Sequence, residues 1–83
     1  MSATYEVTFS RLGRNHEPEP LRCTVRDLDE LEIAIIKHAR KYCVSRTLNC
    51  IAEWDPDTGR GMCTVFAGIQ VAGGGLIRGL ETV

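Results

Sequence analysis

Asp27-Leu-Asp-Glu-Leu-Glu-Ile-Ala-Ile-Ile-Lys-His-Ala-Arg-Lys-Tyr-Cys43 is the one run of this chain long and periodic enough to predict a helix. At 100° per residue, Leu28, Leu31, Ala34, Ile35, His38, Ala39 and Tyr42 share a stripe, with Ile36 and Cys43 along its edge. The ends agree with the period. Asp27 is a capping residue, and Glu30 three positions later comes close to completing a capping box. Asp29, Glu30 and Glu32 crowd the start while Lys37, Arg40 and Lys41 crowd the end, as the helix dipole favours. Such a stripe must be covered, and the flanking sequence alternates like strand.

Upstream, Tyr5, Val7 and Phe9 alternate with Glu6, Thr8 and Ser10, which predicts a strand near residues 3–12. Gly13 to Pro20 is a loop, because its prolines cannot donate to a ladder. Leu21, Cys23 and Val25 alternate with Arg22, Thr24 and Arg26 in a second strand, antiparallel to the first. Downstream, Leu48, Cys50, Ala52 and Trp54 form the inward set of a third strand, and Asp55 to Gly61 a hairpin loop. A fourth strand follows, with Cys63, Val65, Ala67, Ile69 and Val71 inward. Gly73-Gly74-Gly75 breaks it, and Leu76 to Leu80 is left for a short edge strand. The expected fold is α+β in the order ββαββ: one domain over residues 1–83, a four-stranded antiparallel sheet with one helix on one face.

Composition narrows the function classes. Eighty-three residues make one small domain with a thin margin of stability and no room for a deep substrate cavity. Ten Lys plus Arg against eleven Asp plus Glu argue against holding nucleic acid by bulk charge. No apolar run approaches the ~20 residues of a membrane span, and the N-terminal residues lack a signal-peptide pattern, so the cytoplasm is expected. The four cysteines are separated by 19, 6 and 12 residues, with no C-x-x-C pair. Reduced core thiols are the favoured reading, disulfides the alternative, and a zinc site is disfavoured.

Motifs for chemistry are weak. Asp55-x-Asp57-x-Gly59 begins like a calcium loop, but the glycine is one place early and Phe66 stands where the bidentate Glu belongs, so a turn is expected. His38 lies in the apolar stripe and reads as a packed histidine, and His16 has no identifiable partner. No nucleophile is spaced with a base, so neither an enzyme nor a cofactor or metal is expected.

Surfaces carry more information. A single helix covers a single face of a sheet. The other would display Arg22, Arg26, Ile51, Met62 and Phe66 among polar residues, which suits a homodimer contact or nucleic acid, with arginines on phosphates and Phe66 stacking a base. On the helix, Ile33 lies opposite the apolar stripe with Lys37 and Arg40 at i+4 and i+7, near Lys41 and Arg46. Two strands, a helix opened by Thr24-Val25-Arg26-Asp27 and a following hairpin, over residues 3–72, make the chain resemble the compact anti-CRISPR proteins of phages and other mobile elements. That resemblance implies a non-enzymatic inhibitor that occludes a surface on a CRISPR effector. Its contacts would come from the helix edge, Ile33, Lys37, Arg40, Lys41 and Arg46, or from the acidic loop, Asp55 and Asp57.

Overall fold

The computed structural model describes residues 3–80. It is an α+β fold with five antiparallel strands and one helix: β1 Ala3–Leu12, β2 Leu21–Val25, α1 Leu28–Ala39, β3 Leu48–Asp55, β4 Arg60–Ala67 and β5 Gln70–Leu80. The sheet order is β2-β1-β5-β4-β3. The helix comes closest to β2 and β3, the two edge strands, so the sheet curls around it. Val7, Phe9, Val65 and Ile77 from the sheet meet Leu31, Ile35 and Ala39 from the helix in one core.

The helix begins as its sequence requires. The Asp27 carboxylate accepts the Glu30 N–H at 2.9 Å, while the Glu30 carboxylate reaches back to the Arg26 N–H at 3.3 Å, one residue before the cap. It ends sooner than expected. Regular helix stops at Ala39, and Tyr42 and Cys43 continue as a turn whose N–H groups bond to the Ala39 carbonyl, so Cys43 is buried beyond the last helical turn. Two side chains tie the helix to the sheet edges. The Glu32 carboxylate accepts the Ala52 N–H on the outer side of β3 at 2.7 Å, and the Tyr42 hydroxyl accepts the Glu19 N–H just before β2 at 3.1 Å. Both edges thereby lose backbone groups that an intruding strand would use.

The largest departure from the sequence pattern concerns β5. Alternation carried through residue 71 treats Ile69 and Val71 as inward, yet both are exposed. Gly68 and Ile69 form a two-residue hairpin turn between Ala67 and Gln70, with Gly68 at φ +66° followed by a residue of negative φ, the pattern of a type II′ turn. The strand that follows is central and eleven residues long, and it runs through Gly73-Gly74-Gly75 without a break. These glycines are needed there. A side chain on Gly73 or Gly75 would run into the Arg11 or Thr8 carbonyl of β1, and one on Gly74 would stand 2.6 Å from the Cys63 carbonyl of β4. Register slips flank the same point, with Ser10 the extra residue on β1 between Phe9 and Arg11 and Ala72 the extra residue on β5 opposite Val65 and Phe66. Bulges at a glycine run bend a sheet, and this is where the curl is made. The slip on β1 also turns Leu12 inward as a fully buried residue.

The third and fourth strands extend further than expected, to Asp55 and from Arg60, which reduces the hairpin to Pro56–Gly59. Above them the Trp54 indole lies against Gly61 and Gly79 and meets the Tyr5 ring edge-on at 5.0 Å. Both of the large aromatic rings of the sheet thus face the helix side.

Candidate functional site

His38 and the four thiols are packed in or against the core. The His38 ring is buried, stacked on Phe9 with centroids 5.3 Å apart, and its Nε2–H donates to the Glu19 carbonyl at 2.7 Å. Cys23, Cys43, Cys50 and Cys63 are free thiols. Burial pushes the Cys23 and Cys43 thiols upward. Cys50 and Cys63 lie diagonally across β3 and β4, and the hydrogen bond to Cys63 together with burial holds Cys50 in its protonated form. The same hydrogen bond lowers Cys63 against the effect of its burial, so weakly nucleophilic, protonated thiols are expected at Cys23, Cys43 and Cys50. Among the described residues no three His, Cys, Asp or Glu side chains converge as metal ligands.

The surface is strongly organised. β3 rises about 25 Å over its eight residues, so Arg46, just before it, and Asp55 and Asp57, at its far end, sit at opposite ends of a molecule 37 Å long. The acidic loop and the cationic helix edge are therefore two sites. At the first, the Asp55 carboxylate accepts the Asp57 N–H at 2.9 Å and its carbonyl takes the Gly59 N–H, which folds the loop as a turn. Asp27 and Asp29 at the helix start lie toward the same end.

The opposite end is cationic. Ile33 is 53% exposed, and Lys37, Arg40, Lys41 and Arg46 are all exposed. Among the described residues, side-chain ion pairs join Arg22 and Arg78 to Glu6 and Arg26 to Glu30, and none involves these four cations. The structure adds four residues that periodicity did not select. Arg14 and His16, in the loop after β1, line an open cleft against Lys41 and Tyr42. Val44 is fully exposed beside Arg14 in the neighbouring cleft. Ile69, 98% exposed, is brought to this end because the Gly68 N–H donates to the Thr47 carbonyl at 2.9 Å. Nothing in their spacing announces that positions 14, 16, 44 and 69 lie toward one end of the molecule, which depends on how the sheet closes.

The sheet-face residues fall differently. Ile51 and Met62 are more than half exposed on the uncovered face, as expected, and Val71 and Leu76 join them there. Phe66 is only partly exposed. Arg22 donates to Glu6 at 2.9 Å and Arg26 is turned toward Glu30 on the helix at 3.7 Å, so both already face carboxylates. No helix among the described residues is long and apolar enough to cross a membrane. No family model, curated protein or solved structure matches this chain.

Proposed function

We propose that this chain is a small non-enzymatic inhibitor that acts by steric occlusion, covering an acidic surface on a protein partner with the cationic end of the molecule. One observation carries the reading: Lys37, Arg40, Lys41 and Arg46 are exposed without ion-pair partners among the described residues, and the same stretch of chain exposes two aliphatic side chains, Ile33 on the helix and Val44 just after it. Solvation alone explains single surface cations. Several of them in the same stretch as exposed apolar groups make the composition of a contact, in which the aliphatics supply burial and the charges supply orientation. The resemblance to anti-CRISPR proteins supplies the partner class, a nucleoprotein effector whose nucleic-acid path or nuclease-recruiting surface is blocked.

The test is functional. Expression of the chain in cells with active CRISPR interference should restore transformation by a targeted plasmid. The double variant Lys37→Glu, Arg40→Glu should lose that effect while its melting temperature stays nearly unchanged. Full interference in the presence of the native chain would remove this partner class, and an unaffected double variant would move the contact elsewhere.

The same unpaired cations favour one second reading, a nucleic-acid-binding module. In that case the phosphates would meet the cationic end instead of the sheet face, where Arg22 and Arg26 are already matched. A gel shift at two salt concentrations separates the readings, because phosphate contacts weaken steeply with salt. Failure to retard single- or double-stranded probes at low salt excludes it.

A further inference from the structure

We propose that the uncovered face of the sheet is a contact between two copies of this chain, stacked face to face about a two-fold axis running alongside β5. The helix lies on the other face of the sheet, so this contact is independent of the inhibitor reading and leaves the outer face of both helices free.

The first ground is the order of charges across the sheet. At one level the strand register aligns Asp55, Arg60, Arg78, Glu6 and Arg22 on β3, β4, β5, β1 and β2. Read across, their signs are minus, plus, plus, minus, plus. Arg60 and Arg78 are like charges directly opposite each other, an arrangement that disfavours the isolated sheet, and Arg60 has no ion-pair partner among the described residues. A two-fold axis along β5 reverses the order in the second copy. Arg60 then lies over Glu6 of that copy and Glu6 over its Arg60, and the outermost Asp55 and Arg22 carry signs that match in the same reciprocal order. An isologous contact requires this kind of self-complementarity. The single like-charge meeting, Arg78 with Arg78, falls on the axis, and each of those guanidiniums is already held by its own Glu6 at 2.8 Å.

The second ground is apolar area. In the adjacent register row Leu76 lies between Met62 and Thr8, directly on the axis. Ile51, Met62, Val71 and Leu76, each more than half exposed, present a patch on the order of 400 Å², a size that is commonly functional on a small protein. Two such patches with their charged rims would reach roughly 1,200 Å², the lower edge of a stable interface, if both faces were flat. Because the sheet curls toward its helix, the uncovered face is convex and contact concentrates on β5 and its two neighbours. Leu76 and the Arg60–Glu6 pairs are therefore the decisive contacts, and the dimer is weak and reversible.

Sedimentation equilibrium of the full chain, from tens to hundreds of micromolar, reads this directly. The expected result is a monomer–dimer equilibrium, with Leu76→Glu raising the dissociation constant at least about tenfold. Arg60→Glu and Glu6→Lys should each weaken self-association in the same way, and an equimolar mixture of the two should recover it, because both pairs between positions 60 and 6 are then of opposite sign. Circular dichroism melts establish that each variant is folded. A native chain that stays monomeric at hundreds of micromolar overturns the proposal. So does a Leu76→Glu variant that dimerises like the native chain, or a mixture of the two charge variants that associates no better than either alone.

Discussion

The covered and uncovered faces of this sheet are built by the same five strands, yet they tolerate change in opposite ways. Under the helix the side chains are aliphatic, aromatic or thiol, and strand backbones close on one another where β5 carries three glycines. On the bare face the rows are charged or half-exposed, and the polar groups find partners across strands without being enclosed. One side therefore specifies the fold and the other is free to carry contacts.

The sharpest way to break that contrast is to add a side chain where the backbones close. Gly75→Val places a branched group against the Thr8 carbonyl and 2.9 Å or less from the Phe9 Cα, both backbone atoms that cannot swing aside. The cost should be about 3 kcal/mol or more, enough to leave a domain of this size largely unfolded. A urea titration followed by circular dichroism will measure it. Gly59→Ala is the control, since the position has open space around it and pays only for its positive φ, +68°.

Isoleucine occurs on both sides and permits a matched comparison. Ile35 is fully buried and Ile51 is 52% exposed. Truncating Ile35 to Ala should cost about 3 kcal/mol through lost burial and the cavity left behind. Truncating Ile51 should change stability by less than about 0.5 kcal/mol when measured at a concentration where the chain is monomeric. Equal losses at the two positions would mean that the bare face is buried in the isolated molecule.

These differences also explain what could be read from the sequence. Helix α1 was legible because its period, its cap at Asp27 and its charge gradient all agree, and β1 and β2 because their alternation is clean. The strand after Ala67 was not. A two-residue turn at Gly68 and Ile69 resets which side chains face inward, and alternation has no means of detecting a reset that costs no extra residues. Gly73-Gly74-Gly75 resembles a break because glycine weakens strands and has no side chain to alternate. The demand for it comes from neighbouring strands far away in sequence. The cationic end was half legible: Lys37, Arg40 and Lys41 belong to one periodic run, whereas Arg14, Val44 and Ile69 come to the same end of the molecule only after the sheet has closed.

A smaller effect tests whether the helix covers its face as a unit. Asp27→Ala leaves the Glu30 N–H without its carboxylate acceptor and removes a negative charge from the helix start. It should cost about 1 kcal/mol. Amide exchange should quicken first in α1 and then at Ala52, whose N–H is held by Glu32 on that helix. Faster exchange limited to residues 27–31 would show that the helix frays without loosening the sheet.

The smallest effect concerns pH, and the two faces should fail at opposite ends of the scale. On the bare face the Arg22 hydrogen bond, aided by Arg78, holds the Glu6 carboxyl below its ordinary value of 4.5. A depressed folded value means that this contribution is complete above the ordinary value and disappears as the pH falls through the folded one. The group is solvent-screened, so the acid limb should be shallow, should flatten in Glu6→Gln and should shrink in high salt. Under the helix, burial raises Cys23 and Cys43 above their ordinary value of 9.0. A raised folded value acts the other way: stability is intact below the ordinary value and declines as the pH climbs toward the folded one, because the unfolded chain ionises first. Urea midpoints measured from acid to alkaline pH should show both limbs, the alkaline one insensitive to salt and reduced in Cys43→Ala relative to the same variant's neutral midpoint. An alkaline limb that disappears in salt would place those thiols in contact with solvent, and the separation of the two faces would no longer hold.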